Sequence, residues 1–196
     1  MTMFYRFARA VCYGYFKLLY RLTVIGLEHI PTTGGVLLCS NHISTLDPPI
    51  IGVPIKREVH FMAKAELFNI PVLGWLIKKL NAFPVKRGGV SKETIKLSIK
   101  LLREGKVMGI FPEGTRGNNT GMGKKGAAMF AVKSGAAVIP VAIIGNYKPF
   151  RKMTVIYGPA VDMTPFESGT NEDLEKATEK IMMEIRNLIQ THSASA

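Results

Sequence analysis

The sequence lacks the features that would place it among membrane-spanning, secreted or metal-dependent proteins. No stretch reaches the ~18 consecutive apolar residues that a membrane-spanning helix requires. No cleavage site of small residues follows the first apolar run, which argues against secretion. The two cysteines, Cys12 and Cys39, are too few for a zinc site or a disulfide framework and are typical of a reducing compartment. The HExxH and GxSxG signatures of metalloproteases and serine hydrolases are also absent.

Acidic side chains are scarce in most of the chain, which has 26 basic and 14 acidic residues and a net charge of +12. No acidic residue precedes Glu28, and residues 160–196 carry a net charge of −4, so residues 1–159 carry +16. A surface this basic attracts nucleic acid, anionic lipid headgroups or a phosphorylated substrate, and charge alone leaves the three open. Apolar residues make up 47% of the 196 positions, enough for the core of one globular domain.

Residues 4–22 fit an amphipathic helix with one apolar face, rich in aromatic rings, and one basic face. The apolar face holds Phe4, Phe7, Ala8, Val11, Tyr15, Leu18, Leu19 and Leu22, and the basic face holds Arg6, Arg9, Lys17 and Arg21. Two interpretations stay open: a helix that docks on the protein's own core, and a helix that lies in a membrane interface. At about 1 kcal/mol for each cation near an anionic leaflet, four cations would add roughly 4 kcal/mol to membrane binding.

Beyond Gly26, short apolar runs alternate with helical patterns, which predicts strands alternating with helices. The predicted strands are 36–40, 59–63, 82–85, 107–111, 137–144 and 153–157. The predicted helices are 65–80 with an interruption at Pro71, 91–104 with Ser91 as N-cap, 126–133 and 171–189. This alternation indicates an α/β protein with a mostly parallel central sheet flanked by helices.

A histidine and an aspartate, His42 and Asp47, stand five positions apart just beyond the first buried strand. Ligand sites of parallel sheets collect at the carboxyl ends of strands. An aspartate bonded to one ring nitrogen fixes the imidazole tautomer and leaves the other nitrogen to accept a proton, as a general base does. The alternative is structural, because Asp47 could cap a helix that begins at Pro48 or form a capping box with Ser44.

A second polar segment, Phe-Pro-Glu-Gly-Thr-Arg at residues 111–116, opens a glycine-rich loop that ends at Lys124 and a helix. Flexible backbone, the guanidinium of Arg116 and a helix N-terminus are the parts of a phosphate site, but a surface hairpin with solvated bases fits the composition equally well. The loop is not a nucleotide-binding P-loop, since Asn118 replaces its first glycine. A third basic segment around Arg87 offers either a further phosphate ligand or a solvated turn.

Taken in this order, the segments resemble the glycerolipid acyltransferase family, and within it the small bacterial 1-acylglycerol-3-phosphate acyltransferases. The resemblance covers about residues 24–145 and four motifs of the family. The matches are Asn41, His42 and Asp47 for the first motif, Phe83 and Arg87 for the second, residues 111–116 for the third and residues 138–141 for the fourth. The third motif is complete, whereas Asn81 stands where the second usually has glycine.

The resemblance implies that His42, oriented by Asp47, deprotonates the sn-2 hydroxyl of lysophosphatidic acid, which then attacks an acyl thioester directly. It also implies that cationic side chains bind the acceptor phosphate and that Lys64 or backbone amides stabilise the oxyanion. The implied acceptor-binding residues are Arg87, Glu113, Gly114, Thr115, Arg116 and Lys124. No metal ion or cofactor is implied, and the co-substrate is the thioester of coenzyme A or of acyl carrier protein.

The resemblance also implies a peripheral protein on the cytoplasmic face of the cell membrane, with an anionic membrane surface as a partner. We therefore expect residues 1–23 to form a membrane-interface helix and residues 24–196 to form one acyltransferase domain with a glycerol-3-phosphate acyltransferase-like fold. The nearest alternative is the same chemistry on glycerol-3-phosphate or another lysophospholipid. A nucleic-acid-binding module would explain the charge but neither the His42–Asp47 spacing nor the apolar basic helix.

Overall fold

The chain alternates helices with strands along most of its length. The computed structural model describes residues 2–85, 91–113 and 121–193, the last range with side chains from residue 126 onward. Its helices are α1 (Met3–Leu19), α2 (Asp47–Gly52), α3 (Leu73–Lys79), α4 (Lys92–Arg103), α5 (Gly121–Ser134) and α6 (Asn171–Ser193). Its strands are β1 (Thr23–Ile25), β2 (Val36–Ser40), β3 (Val59–Lys64), β4 (Ala82–Val85), β5 (Val107–Ile110), β6 (Ala137–Gly145) and β7 (Met153–Tyr157). Short 3-10 helices lie at Leu27–His29, Ala65–Asn69 and Thr164–Phe166.

The strands of the described residues form one sheet in the order β1-β7-β6-β2-β5-β3-β4. Strands β6, β2, β5, β3 and β4 run parallel to one another, whereas β7 pairs antiparallel with β6 and β1 pairs parallel with β7. The carboxyl ends of these five strands therefore share one edge of the sheet. Strand β2 is the fourth of the seven strands in the sheet order. The prediction of a mostly parallel α/β sheet flanked by helices is confirmed.

The central strand β2 is buried along its whole length because helices cover both faces of the sheet. Its side chains alternate between two hydrophobic clusters. Val36 and Leu38 belong to the cluster under α1 and α2, and Leu37 and Cys39 belong to the cluster under α4, α5 and α6. A strand with two buried faces has no polar side, which is why its sequence reads as a continuous apolar run.

One close approach in the sheet requires glycine. Gly109 on β5 pairs with Phe61 on β3, and a Cβ atom at position 109 would lie 2.1 Å from the Phe61 ring. The aromatic ring therefore covers the glycine, and only a residue without a side chain fits beneath it.

The predicted element boundaries agree closely with the structure. The strands 36–40, 82–85 and 153–157 are confirmed residue for residue, and Ser91 caps α4, because its side chain accepts a bond from the Thr94 N–H. Helix α5 begins at Gly121, earlier than the predicted 126, and α6 continues to Ser193, beyond the predicted 189. Strand β1 was not predicted, because three residues are too short to show an alternating pattern.

Helix α1 docks on the core through one of its faces. Tyr5 and Phe16 are buried there, and the Tyr5 hydroxyl accepts a hydrogen bond of 3.0 Å from the backbone N–H of Val59. Arg9 Nη1 donates to the backbone oxygen of Ile55 at 2.9 Å. The interpretation of this helix as one that packs on its own protein is therefore correct for this face, and Arg9 is a docking residue instead of a free cation.

A second face of α1 carries apolar side chains into solvent. The exposed residues are Met3, Phe7, Val11, Tyr15 and Leu18. The predicted single apolar face is wrong in detail, because Leu22 lies beyond the end of the helix and is buried in the core. Among the described residues, no helix combines the length and the apolar character that crossing a membrane requires.

Candidate active site

The carboxyl edge of the sheet gathers the loops that follow its three neighbouring central strands. Because β2 lies between β6 and β5, the loops after these strands are neighbours. The loop after β2 carries His42 and Asp47, the segment after β5 begins with Phe111, and the loop after β6 carries Tyr147. Phe111 contacts the imidazole of His42 and Tyr147 contacts the carboxylate of Asp47, so side chains from all three segments meet at this pair.

His42 and Asp47 form a hydrogen-bonded pair. His42 Nδ1 lies 2.7 Å from Asp47 Oδ2, and the side chains are 18% and 0% exposed, respectively. Because a carboxylate oxygen only accepts, Nδ1 carries a hydrogen, and this bond selects the neutral tautomer whose lone pair is on Nε2. The structure thus brings together the two residues that the sequence paired, whereas their role in catalysis stays a prediction.

Although the carboxylate of Asp47 is fully buried, four groups from the described residues donate hydrogen bonds to it. Oδ2 accepts from His42 and from the backbone N–H groups of Ile43 and Ser44, at 2.6 and 2.7 Å. Oδ1 accepts from the hydroxyl of Tyr147 at 2.7 Å. A buried carboxylate is costly unless its oxygens are paired, and four donors match its accepting capacity. The loop from 42 to 47 is therefore wrapped around this one side chain.

The hydroxyl of Tyr147 keeps its proton in this environment. Burial raises the pKa of Tyr147 well above its ordinary value of 10.0, and the neighbouring Asp47 carboxylate raises it further. Tyr147 therefore acts as a donor at neutral pH. Sequence reasoning missed this residue, because it lies 100 positions from Asp47 and belongs to none of the four motifs.

The alternative interpretation of Asp47 as a helix-capping residue is only partly correct. Helix α2 begins at Asp47, with Leu46 in the N-cap position. A capping box would need the Ser44 hydroxyl to accept from the Asp47 N–H, but Ser44 Oγ accepts from Leu46 N at 3.2 Å. Only the other half of the box is present, since the Ser44 N–H donates to Asp47 Oδ2 at 2.7 Å. A carboxylate in the first turn is also favourable beside the helix dipole.

The ring of Phe111 stacks on the imidazole of His42. The ring centroids lie 4.2 Å apart, and the planes are inclined by 22°. The stack and the Nδ1 bond together hold the imidazole in one orientation. Since Phe111 is the first residue of the Phe-Pro-Glu-Gly-Thr-Arg segment, the stack also places the start of that segment beside the His42–Asp47 pair.

Asn41 ties the beginning of the same loop to β6. Its Nδ2 donates to the backbone oxygen of Ile143 at 3.0 Å, and its Oδ1 accepts from the Ile143 N–H at 2.8 Å. These bonds extend the ladder between β2 and β6, whose last backbone pair joins Ser40 to Val141. The asparagine of the first motif therefore sets where the chain leaves the sheet, immediately before His42.

The remaining predicted site residues are only partly covered by the described ranges. Those outside them are Arg87, Gly114, Thr115, Arg116 and the side chain of Lys124. Glu113 is exposed, two positions after Phe111. Lys64 is exposed at the end of β3, on the same sheet edge as His42, with β5 between their strands. The roles of these side chains stay predictions. Within the described residues, no group of three or more His, Cys, Asp or Glu side chains could hold a metal ion.

The fold and the site define an α/β protein with a histidine–carboxylate pair at the carboxyl edge of a mostly parallel sheet, the edge at which such sheets bind ligands. The acyltransferase family model matches residues 21–144, and the chain belongs to this family.

Two curated relatives and one crystal structure describe the similarity further. The 1-acyl-sn-glycerol-3-phosphate acyltransferase of Bacillus subtilis is 34% identical over 172 residues, which are 84% of this chain and 86% of that protein. The protein of the same name from Borreliella burgdorferi is 32% identical over 136 residues, 67% of this chain but only 54% of that protein, so the chain spans about half of this relative's length. The crystal structure of the 1-acyl-sn-glycerophosphate (LPA) acyltransferase PlsC from Thermotoga maritima superposes with a TM-score of 0.74 and 27% identity, covering 97% of this chain and 80% of that one.

Proposed function

We propose that this protein transfers an acyl chain from an acyl thioester to the sn-2 hydroxyl of 1-acylglycerol-3-phosphate and so forms phosphatidic acid. The relatives from Bacillus subtilis and Thermotoga maritima are named for this acceptor, and the chain covers most of each. The observation that carries the proposal is the bond of 2.7 Å between His42 Nδ1 and the buried carboxylate of Asp47, which leaves Nε2 able to take a proton.

The proposed reaction begins when Nε2 of His42 removes the proton from the sn-2 hydroxyl while that oxygen attacks the thioester carbonyl carbon. The imidazolium that forms is stabilised by the Asp47 carboxylate across the Nδ1–H bond. The tetrahedral intermediate then collapses, its C–S bond breaks, and the leaving thiolate takes the proton from the imidazolium. A positioned general base contributes roughly 10²–10⁴-fold to such a reaction. Holding the hydroxyl and the thioester in attack geometry contributes much of the rest.

In this proposal, the acceptor phosphate is bound by Arg116, Arg87 and Lys124, with Glu113, Gly114 and Thr115 orienting the acceptor and Lys64 near the oxyanion. One contact and one feature of the sheet topology support it. The stack of Phe111 on His42 brings the start of the Phe-Pro-Glu-Gly-Thr-Arg segment to the general base, and β4, which precedes Arg87, ends at the same sheet edge as β2. Each charge-assisted bond to the phosphate would contribute about 1.5–3 kcal/mol.

The test is acyl transfer to lysophosphatidic acid, measured with acyl-coenzyme A and with acyl carrier protein as donors. We expect His42→Ala to lower kcat by at least about 10²-fold and Arg116→Ala to raise chiefly the KM for the acceptor. His192→Ala, in the last turn of α6, is the matched control. Normal turnover of His42→Ala would refute the proposed base, and faster turnover of glycerol-3-phosphate than of lysophosphatidic acid would refute the proposed acceptor.

We further propose that α1 holds the protein in the interface of an anionic membrane, on the cytoplasmic leaflet. The exposed apolar residues of α1 and of the segment 70–75, together with Phe4, form what we call the apolar surface. Phe4 and Trp75 join its two parts through an edge-to-face contact of 5.3 Å. The other members are Met3, Phe7, Val11, Tyr15, Leu18, Ile70, Val72 and Leu73. Because this much exposed apolar area is unusual for a monomer in water, a lipid surface is its expected partner.

The direction and charge of α1 support the same proposal. Its end lies at the sheet edge that bears the site, since the ring of Tyr20 packs edge-on against Tyr147 at 5.5 Å. A lipid acceptor could therefore keep its acyl chain in the bilayer, which avoids about 0.8 kcal/mol for each exposed CH₂. Arg6, Lys17 and Arg21 are exposed, and these cations would add about 3 kcal/mol at an anionic leaflet, because Arg9 is engaged in docking.

Flotation with phosphatidylglycerol vesicles tests the membrane proposal. We expect Phe7→Ser/Leu18→Ser to weaken binding about 100-fold, because two large apolar side chains no longer enter the lipid. Leu97→Ser, on the outer side of α4, is the matched control, since Leu97 is an exposed leucine outside the apolar surface. Unchanged binding of the double variant, or equal loss in the control, would count against α1 as the anchor.

A further inference from the structure

The two oxygens of the Asp47 carboxylate are held by different parts of the fold. Oδ2 is bound by His42 and by backbone N–H groups of its own loop, all within five positions. Oδ1 is bound by the hydroxyl of Tyr147, which comes from the loop after β6. The local loop therefore presents one oxygen to the imidazole, and a distant segment fixes the other oxygen.

The bond to Oδ1 determines the plane of the carboxylate. Three donors converge on Oδ2, but a carboxylate held at one oxygen can still turn about that point. Among the described residues, Tyr147 is the donor to Oδ1, so its loss would leave this buried oxygen without a partner from them, which is costly. The carboxyl group would then turn toward another donor or admit a water molecule, and either change would alter the alignment of Oδ2 with His42 Nδ1.

Tyr147 is held in place by contacts that do not involve its hydroxyl. Its ring packs edge-on against Tyr20, with an angle of 80° between the planes. The loop that carries it is tied to the end of α1, because Phe150 N donates to the Leu19 carbonyl at 2.6 Å and Met153 N donates to the Tyr20 carbonyl at 2.9 Å. These contacts therefore position the Tyr147 hydroxyl at Asp47. A phenylalanine at 147 would keep the position of the ring and lose only the hydrogen-bond donor.

We propose that Tyr147 is a positioning residue for acyl transfer: it acts through Asp47, whose carboxylate it locks in the orientation that holds the imidazole of His42 for proton removal. This inference rests on the proposed function of His42 as the general base. Tyr147 is not assigned a contact with the substrate, so its effect should fall on turnover and not on acceptor affinity.

The test compares Tyr147→Phe with Tyr157→Phe in the acyl-transfer assay with lysophosphatidic acid. Tyr157 is a matched control, because its buried hydroxyl also donates a bond of 2.7 Å, but to the backbone oxygen of Ile51. We expect Tyr147→Phe to lower kcat about tenfold with the KM for the acceptor changed less than about twofold. Tyr157→Phe should lose stability to urea and keep its kcat. Equal kcat in wild type and Tyr147→Phe would overturn the inference.

Two further measurements separate positioning from a general structural role. The Nδ1–H resonance of His42, observed by NMR with ¹⁵N-labelled histidine, should shift in Tyr147→Phe and stay unchanged in Tyr157→Phe. Tyr147→p-aminophenylalanine restores an N–H donor at the same ring position and should recover most of the lost turnover, and this comparison remains decisive if Tyr147→Phe is less stable. An unmoved resonance or no recovery would overturn the inference.

The failure of this inference is distinguishable from failure of the proposed function. If His42→Ala and Asp47→Asn lose activity while Tyr147→Phe keeps full turnover, the inference about Tyr147 is wrong and the general base stands. If His42→Ala itself keeps its turnover, the proposed function fails, and the inference fails with it.

Discussion

Replacing Asp47 by asparagine removes the charge beside His42 while keeping the shape of the loop. Asparagine has nearly the same shape as aspartate, and the N-cap position of α2 belongs to Leu46, so no capping bond is lost. Its amide oxygen can occupy the Oδ2 position, where His42 Nδ1 and the backbone N–H groups of Ile43 and Ser44 converge. Its amide NH₂ group then faces the Tyr147 oxygen, which can accept a bond as well as donate one. Asp47→Asn therefore keeps the loop and the imidazole tautomer, and only the negative charge is lost.

The magnitude follows from the charge that appears on His42 during the reaction. Once the imidazole has taken the proton, it forms an ion pair with Asp47 across the bond of 2.7 Å. Two unit charges centred about 4 Å apart interact by about 4 kcal/mol at an effective dielectric constant of about 20. Since each 1.36 kcal/mol in the barrier is about tenfold in rate, we expect kcat to fall about 10³-fold. In the proposed mechanism this ion pair forms only after the proton has moved, so the KM for the acceptor should change little.

The assay follows the conversion of labelled lysophosphatidic acid to phosphatidic acid, with urea unfolding measured on the same samples. Ser91→Ala is the matched control, because it removes an N-cap side chain at α4, outside the site. It should cost about 1 kcal/mol of stability and leave kcat unchanged. A folded Asp47→Asn protein whose kcat falls less than about fivefold would refute the electrostatic reasoning. A loss of stability larger than that of Ser91→Ala would mean that the charge supports the loop instead.

Two further predictions concern stability. Gly109→Ala should lower the free energy of unfolding in urea by about 1–3 kcal/mol, because the added Cβ would lie 2.1 Å from the Phe61 ring. Gly14→Ala is the control and should not lower it, because a Cβ at position 14 has nothing within 4 Å. Equal stability of the two variants would contradict the packing argument. Burial lowers the pKa of His60 below its ordinary value of 6.5, against a smaller raising effect of the Val107 carbonyl. The unfolded chain therefore binds a proton at His60 more readily than the folded protein does. Stability is lost as the pH falls below about 6.5, the pKa in the unfolded chain. His60→Gln should therefore reduce the drop in unfolding free energy between about pH 7 and pH 5, and an unchanged drop would contradict the assignment.

Much of the sheet and of the site's location could be predicted from local sequence pattern. The runs at 36–40, 82–85 and 153–157 are strands, and strands with two buried faces need apolar side chains on both. This need produces a short continuous apolar run, which can be recognised from a few consecutive residues. The pairing of His42 with Asp47 is equally local, since a five-residue loop brings them together. The stacking of Phe111 on His42 escaped prediction because it depends on which strands become neighbours in the sheet. Strand β1 escaped prediction because three residues are too short to show an alternating pattern.

Helix α1 shows why an amphipathic pattern does not fix what a face contacts. The sequence distinguishes apolar from basic positions, but both core-facing Phe16 and solvent-facing Leu18 are apolar. The docking of the helix decides which apolar residues are covered, through the bond of Tyr5 to Val59 at the start of β3 and the bond of Arg9 to Ile55 in the loop before it. The exposed remainder forms the apolar surface for which we propose a membrane partner.

The order of residues along the chain by itself determined most strands, most helices and a histidine paired with a nearby aspartate, because these depend on interactions over a few positions. Tertiary structure alone decided which donors complete the aspartate, since Tyr147 reaches it across 100 positions. It also decided which side of the first helix stays uncovered. Both outcomes depend on strand order and helix docking, and these arise from the free energy of burying the whole core, which no single segment contains.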